Sequence, residues 1–165
     1  MNNDVQIVAY HEKYKAQVED LLILLVDDVA QYNELRRVHA GSMYGSKYLE
    51  EYVNLFKNEK ACIYLATIDV EVVGCIAGKI IEKTGDDLLE YYPMKLGFID
   101  DLYVLEDWRG HGIGAKLLQE SESFFKQHHC VFVDLLVAYK NSNAHELYLN
   151  QGFKNDGLIM RKKLQ

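Results

Sequence analysis

The chain has 165 residues, of which 49% are hydrophobic, so it has the size and composition of one domain with a real core. Its 26% of charged residues and its single proline argue against disorder and against a linker, and we expect one domain over 1–165. With 18 basic and 25 acidic residues the formal charge is −7, and no basic run offers the face that nucleic acid needs. The longest apolar run, 21–26, is too short for a membrane span, and the N-terminus lacks a signal-peptide pattern. We therefore expect a cytoplasmic protein that binds neither nucleic acid nor a membrane.

The first half of the chain predicts a strand, two helices and a pair of strands. Apolar residues alternate with polar ones over 4–10, as in a strand, and recur at the spacing of one helical face over 12–30. Ser46 is a candidate N-cap for a second helix. Segments 61–68 and 71–82 are rich in Ile, Val and Ala, which predicts two paired strands.

The second half predicts an exposed loop and then alternating strands and helices. Segment 84–95 is expected to be a loop because Pro93 cannot donate a hydrogen bond in a central strand. Segment 130–138 is apolar on both sides, which predicts a central strand. The other predicted elements are a strand over 98–105, a helix over 112–126, a short helix over 143–150, and terminal strands at Phe153 and 158–160. The order β-α-α-β-β-β-α-β-α-β-β predicts a mixed α/β sheet with helices on both faces.

Cysteine and histidine usage gives no sign of a metal site. Cys62, Cys75 and Cys130 lie in apolar, strand-like runs without a C-x-x-C spacing, so buried free thiols are expected. None of the histidines has the spacing of metal ligands. The sequence therefore predicts no metal.

A strand runs into a turn with three alternating glycines, and that turn opens a helix. Gly110, Gly112 and Gly114 leave the main chain free to adopt unusual conformations and let a ligand approach closely. The free amides and the positive end of the helix favour a phosphate or diphosphate, to which Arg109 can add a charged contact. The G-x-G-x-G spacing matches neither a Walker A loop nor a dinucleotide fingerprint. The alternative is a glycine-rich turn that binds no ligand.

Two separated motifs resemble the GNAT superfamily of N-acetyltransferases. Segment 109–114, Arg-Gly-His-Gly-Ile-Gly, matches the family's Arg/Gln-x-x-Gly-x-Gly/Ala signature. Asn141, Ala144 and Tyr148 match its Asn-x-x-Ala-x-x-x-Tyr helix, and Gly-Phe follows at 152–153. The resemblance covers 96–164 and implies the GNAT fold, a mostly antiparallel sheet of about seven strands.

The resemblance implies acetyl-CoA as co-substrate, and it assigns roles to main chain and side chains. The main chain of Tyr103, Val104 and Leu105 would pair with the pantetheine arm. The residues expected at the diphosphate are Arg109, Gly110, His111, Gly112, Ile113, Gly114 and Ala115. Glu106 stands where the family often has proline, but the implied contacts use main chain.

The second motif also has a physical interpretation. Asn141, Ala144 and Tyr148 are three and then four residues apart, so on a helix they share one face. Asn141 can hydrogen-bond an amide-rich ligand, Ala144 leaves room for it, and Tyr148 presents a phenol. The resemblance implies that Tyr148 is the general acid that protonates the departing thiolate. The alternative is a tyrosine that only packs.

An alkylamine has a pKa of about 10.4 and must lose a proton before it attacks a thioester. Asp100 and Asp101 are the candidate bases, and the pair resembles the Glu-Asp pair of diamine acetyltransferases of the spermidine/spermine type. Neighbouring strand residues point to opposite faces, so one acid at most faces the cleft unless a bulge intervenes. The alternative is an acid that binds a cationic substrate or caps the sheet edge.

These features predict direct transfer of acetyl to the primary amine of a small cationic molecule, such as a polyamine or aminoglycoside. Segments 31–46 and 84–95 would line the acceptor pocket, unless their polar side chains are simply solvated. Those acidic and aromatic residues are Glu34, Tyr44, Asp86, Asp87, Glu90, Tyr91 and Tyr92. Acetylation of a protein N-terminus or lysine is a second interpretation, and a non-catalytic acyl-CoA sensor is a third. Homodimers are common among similar proteins, and nothing in the sequence decides for or against one.

Overall fold

A computed structural model describes residues 4–32, 41, 43–162 and 164. Its regular elements are, in chain order, β1 (Gln6–Ala9), α1 (Lys15–Gln31), α2 (Tyr44–Lys57), β2 (Ala61–Ile68), β3 (Glu71–Lys83), β4 (Met94–Val104), α3 (Ile113–Gln127), β5 (Phe132–Leu135) and α4 (Ser142–Asn150). Short 3₁₀ turns lie at 12–14, 85–89 and 106–108. No helix of the described residues is long and apolar enough to cross a bilayer.

The strands form one mixed sheet in the order β1-β2-β3-β4-β5. Consecutive strands from β1 to β4 pair antiparallel, and β5 pairs parallel to β4. β2 and most of β3 are buried on both faces, which accounts for their nearly continuous apolar runs. The predicted mixed, mostly antiparallel α/β sheet is confirmed.

Helices cover both faces of the sheet. On one face Val18 of α1 and Leu49 of α2 pack against Ile63 and Cys75. On the other face Leu117 of α3 packs in a second cluster, and the ring of Phe125 lies so close to β4 that a Cβ at Gly97 would be 2.5 Å from it. Close approach of α3 therefore requires glycine in the strand. We call these two sides of the sheet the α1/α2 face and the α3 face.

Two strand predictions at the C-terminal end are wrong. The described residues of 153–162 contain no strand, so the sheet has five strands there and not about seven, and the predicted order does not match. Leu158, Ile159 and Met160 are exposed. They are consecutive, so they select no single face, and apolar residues do not form a strand without a neighbouring edge to pair with.

The expected central strand over 130–138 is also wrong. β5 covers only Phe132–Leu135 and lies at the edge of the sheet, with Phe132 and Leu136 exposed. An apolar run can form a central strand only where the sheet offers it a neighbouring strand on each side. In the described residues β5 pairs with β4 alone.

The predicted N-cap of α2 is wrong, although the helix itself is confirmed. The helix begins at Tyr44 with Met43 as N-cap, and the Ser46 hydroxyl donates to the Met43 carbonyl oxygen at 3.3 Å. A Cβ at Gly45 would lie 2.6 Å from the Glu19 carbonyl oxygen of α1. The helix therefore begins three residues earlier than capping propensity predicts, and this added turn packs tightly against α1.

Candidate active site

A register shift in β4 places the two candidate bases. Ala77 of β3 pairs with Asp101, but Gly78 pairs with Ile99, so Asp100 is an extra residue in β4. This is a β-bulge, in which two residues of one strand oppose one of the other.

The bulge turns both acids to the same side of the sheet. Before it, Ile99 points to the α3 face, and after it Tyr103 points to the α1/α2 face, although the two are an even number of residues apart. In an unbroken strand Asp101 would share the face of Ile99. The bulge thus brings Asp100 and Asp101 together on the α1/α2 face, which is the condition under which both can face one cleft.

Two tyrosines of α2 donate hydrogen bonds to the acid pair. Tyr48 donates its hydroxyl to Asp101 Oδ2 at 2.6 Å, and Tyr52 donates to Asp100 Oδ2. The rings of Tyr44, Tyr48 and Tyr52 stack along the helix with successive centroids 5.2 Å apart. Burial, and then the nearby aspartates, raise the pKa of all three phenols, so that they stay protonated donors.

The two acids have different partners. Lys79 of β3 places its Nζ 3.0 Å from Asp100 Oδ1, and this ion pair compensates the negative charge of Asp100. Asp101 is 8% exposed, and its burial raises its pKa from 3.8 to about 6, while the Tyr48 hydrogen bond opposes that rise. A pKa of about 6 lies near the pH range in which general bases work, which makes Asp101 a candidate for that role.

The glycine turn has the conformation that its sequence predicts. Gly110 and Gly112 have φ of +79° and +75°, and a Cβ at either would meet no atom within 4 Å, so backbone conformation and not crowding selects glycine. Gly112 is the N-cap of α3 and provides no capping side chain. The amides of Ile113, Gly114 and Ala115 have no carbonyl partner within their own helix and lie at its positive end.

The third glycine has a packing reason. A Cβ at Gly114 would lie 3.1 Å from Leu147 Cδ2, so α4 approaches the first turn of α3 closely. The helix with the candidate acid is thereby placed beside the candidate diphosphate site.

β4 and β5 separate just below this turn. Their pairing ends at Ile99 and Leu135, whereas β4 continues to Val104. Leu105 donates its amide to the Val73 carbonyl, so its main-chain groups face β3. Because successive residues face opposite edges, the N–H and C=O of Val104 face the opening between β4 and β5. Of the three residues predicted to pair with pantetheine, Val104 directs its main chain there, and Tyr103 and Leu105 direct theirs towards β3.

Arg109 contacts the protein on three sides. Its Nε donates to the Val104 carbonyl at 3.0 Å, its Nη2 lies 3.1 Å from Asp28 Oδ2 of α1, and its guanidinium lies 5.3 Å from the Tyr103 ring centroid. The side chain thus joins the turn to α1. His111 places Nδ1 2.9 Å from the Arg109 carbonyl, so its ring folds back onto the turn.

α4 brings the second motif to the same opening. The Asn141 Oδ1 accepts from the Ala144 amide at 3.1 Å and caps the helix, which leaves Nδ2 as the group for a ligand contact. The Tyr148 ring packs edge-on against Phe153 at 5.8 Å, on the α3 face. Burial and the charge of Asp101 raise the pKa of Tyr148 to about 12, so the phenol is protonated and lies within electrostatic reach of Asp101.

Other predicted residues do not join this cluster. In the loop over 84–93, Asp87 pairs with Lys83 at 3.6 Å, and Lys83 lies over the Tyr91 ring at 4.5 Å. Glu34 lies outside the described residues. Burial raises the pKa of Cys62 and of Cys75 to about 12, so both are inert thiols at neutral pH. The described chain contains no group of three or more His, Cys, Asp or Glu arranged to hold a metal.

Sequence reasoning missed Tyr48, Tyr52 and Lys79. The i, i+4 spacing of Tyr44, Tyr48 and Tyr52 was visible as a signal for one helical face, but nothing local showed that this face meets the acid pair. Lys79 is a single cation in an apolar strand, and its partner lies 21 residues away in sequence.

Comparison with known proteins identifies the family. The family model for the acetyltransferase (GNAT) family matches residues 28–153, which is more than half of the chain. The chain belongs to the GNAT family. It is an acetyl-transferring enzyme, as its relatives' names indicate.

Two curated relatives and one solved structure illustrate the likeness. An N-alpha-acetyltransferase of Sulfurisphaera tokodaii is 34% identical over 77% of this chain and 75% of that protein. N-alpha-acetyltransferase 60 of Danio rerio is 30% identical over 81% of this chain, which matches only 59% of that longer protein. The structure of AAC(6')-Iy with the bisubstrate analogue CoA-S-monomethyl-acetylneamine has a TM-score of 0.73 and 14% identity, over 98% of this chain and 99% of that one. At that identity the structural likeness shows the GNAT fold alone.

Proposed function

We propose that this enzyme transfers acetyl from acetyl-CoA to the primary amine of a small cationic molecule, with Asp101 as general base and Tyr148 as general acid. The observation that supports this most is the bulge in β4, which puts a buried carboxylate with a pKa of about 6 beside the opening between β4 and β5. The formal charge of −7 favours the approach of a cation.

The cofactor would be held mainly by main chain. The amides of Ile113, Gly114 and Ala115 would receive the diphosphate, with Gly110, His111 and Gly112 shaping the turn. Val104 would pair with pantetheine, and the Asn141 Nδ2 and the small Ala144 would border the same arm. The fit is supported by the positive φ of two glycines and by the uncapped N-terminus of α3.

The chemistry needs no covalent enzyme intermediate. Asp101 takes a proton from the ammonium, and the freed nitrogen attacks the acetyl carbonyl carbon to form the C–N bond. The Val104 N–H faces the opening and would stabilise the oxyanion. The C–S bond then breaks, Tyr148 gives its proton to the thiolate, and the resulting phenolate takes up the extra proton from the nitrogen, which leaves the neutral amide and the free thiol. A phenol with a pKa of about 12 stays protonated over the working range, so it is available as an acid.

The protein N-terminus is a second candidate acceptor. It is favoured by the two relatives named N-alpha-acetyltransferases. An α-amine has a pKa of about 7.7–8.0, so it needs less help from a base of pKa about 6 than an alkylamine does.

One experiment tests the function and separates the acceptors. Release of the CoA thiol is measured with acetyl-CoA and a panel of alkylamines, an aminoglycoside and short peptides with free or blocked N-termini. Turnover with the small amines supports the proposal, and turnover confined to free N-termini supports the second candidate. Binding of acetyl-CoA with no transfer to any amine would contradict both and indicate a sensor.

The acid role of Tyr148 has its own test. Tyr148→Phe is expected to lower kcat about tenfold or more, because the thiolate then leaves without a proton donor. Tyr139→Phe is the matched control, since Tyr139 is exposed, and it should leave kcat unchanged. Turnover of Tyr148→Phe that equals the wild type at every pH would contradict the assignment.

A further inference from the structure

One cation of the protein itself, the Lys79 ammonium, already lies at the acid pair of β4. Lys79 Nζ lies 3.0 Å from Asp100 Oδ1, with side chains 37% and 18% exposed. It also lies 5.9 Å from the ring centroids of Tyr52 and Phe98. A carboxylate and two aromatic rings around an ammonium are the elements with which proteins recognise cationic ligands. Lys79 thus occupies a cation position built from side chains of α2 and β4.

Asp101 differs from Asp100 in this respect. Among the ion pairs of the described residues, Asp100 has a cationic partner, whereas Asp101 accepts a hydrogen bond from the neutral Tyr48 phenol. The formal charges of Lys79, Asp100 and ionised Asp101 therefore leave one negative charge. One incoming ammonium compensates it, and a second ammonium would meet Lys79 at close range as a like charge.

We propose that Lys79 is a specificity-determining residue that fills the second cation position, so the site selects acceptors with one ammonium near Asp101 and discriminates against short diamines. This inference rests on the proposed function for the identity of the acceptor. It also separates the chain from the diamine-type enzymes that its Asp100–Asp101 pair resembles in sequence, because one of the two carboxylates is not available to substrate.

Removal of Lys79 should open the second position. Lys79→Met keeps the length and apolar stem of the side chain but leaves Asp100 beside Tyr52 and Phe98 without its cation. We compare 1,4-diaminobutane with butylamine, which share a four-carbon chain. The wild type is expected to use the diamine no better than twofold, the statistical factor for two amines. In Lys79→Met the diamine-to-monoamine ratio of kcat/KM should rise about tenfold or more, as a hydrogen-bonded charge contact provides.

The same substitution should shift the pH profile. The groups that face Asp101 are Tyr44, Tyr48 and Tyr52 of α2, Cys75 and Lys79 of β3, Asp100 of β4 and Tyr148 of α4. Of these only Lys79 is a cation, and its charge lowers the pKa of Asp101. Its loss should move the acidic limb of the kcat/KM profile to higher pH, an effect that a purely structural role for Lys79 would not produce.

A binding measurement keeps this test independent of turnover. The Kd of each amine is determined by calorimetry on protein saturated with CoA, which carries no acetyl group to transfer. A gain of diamine binding in Lys79→Met that disappears in Lys79→Met with Asp100→Asn supports the inference even if no amine is acetylated, in which case only the proposed function fails. Lys126→Met removes an exposed lysine of α3 and should not change the ratio.

Two results would overturn the inference. One is a wild type that binds or uses the diamine tenfold better than the monoamine. The other is an unchanged ratio in Lys79→Met. If that variant does not fold, Lys79→Gln carries the same expectations.

Discussion

The glycine turn and the acid pair lie at opposite ends of one short stretch of chain, and they are specified in different ways. The turn works through main-chain amides, so its requirements are local: two positive φ angles and an uncapped helix N-terminus. The acid pair works through side chains whose state is set by contacts from α2 and β3, which are far away in sequence. A main-chain site can be recognised from a short motif, whereas a side-chain site depends on the whole fold.

Asp101→Asn should break the acid-pair side of this comparison most severely. Loss of the base is expected to lower kcat about 10²–10⁴-fold near pH 7, while the Kd for acetyl-CoA stays unchanged. In the wild type, kcat/KM should fall as the pH drops through about 6, because Asp101 becomes protonated and can no longer accept a proton. The variant should lose that step and keep only the slope that comes from the amine itself. A step near pH 6 that persists in Asp101→Asn would exclude this residue as the base.

Gly112→Val should break the turn side instead. A β-branched residue at φ +75° distorts the N-terminus of α3, so acetyl-CoA binding is expected to weaken about 100-fold, from strain of ~1–2 kcal/mol and at least one lost charge-assisted hydrogen bond of ~1.5–3 kcal/mol. Calorimetric titration with acetyl-CoA measures this directly.

Gly85→Val is the matched control for the turn. Gly85 also has positive φ, +58°, and open space at its Cβ, but it lies in the loop before β4. It should cost similar stability without changing the Kd for acetyl-CoA. Equal weakening of the Kd in both variants would mean that Gly112 acts through general stability alone.

The same contrast explains which features of the fold and the site could be predicted from the sequence. The turn, the start of α3 and the Asn141–Tyr148 helix were predicted because each has a local signature. The bulge at Asp100 could only be left open as an alternative, since it is a property of how β3 and β4 align. The Lys79 contact and the Tyr48 hydrogen bond depend in turn on that bulge, because without it Asp101 would point to the α3 face. The missing strands at the C-terminal end have a related cause: a strand needs a partner edge, and no local pattern supplies one.

Asp28→Asn should have the smallest effect and sharpens the comparison, because Asp28 is the side-chain link from α1 to the turn. The Arg109–Asp28 pair has side chains 43% and 26% exposed, and exposed pairs contribute about 0–1 kcal/mol. The KM for acetyl-CoA is therefore expected to rise by up to about fivefold, with kcat unchanged, in steady-state assays of thiol release. Asp27→Asn changes the exposed neighbouring acid and should alter neither KM nor kcat. A tenfold or larger rise of the KM for acetyl-CoA in Asp28→Asn would show that cofactor binding at the turn depends on this side-chain link.

A crystal structure of the complex with acetyl-CoA tests the placement of both regions at once. The expected result is a diphosphate on the amides of Ile113, Gly114 and Ala115, with the thioester at the Val104 N–H between Asp101 and Tyr148. A diphosphate bound elsewhere, or a thioester far from Asp101, would contradict the arrangement from which the mechanism is derived.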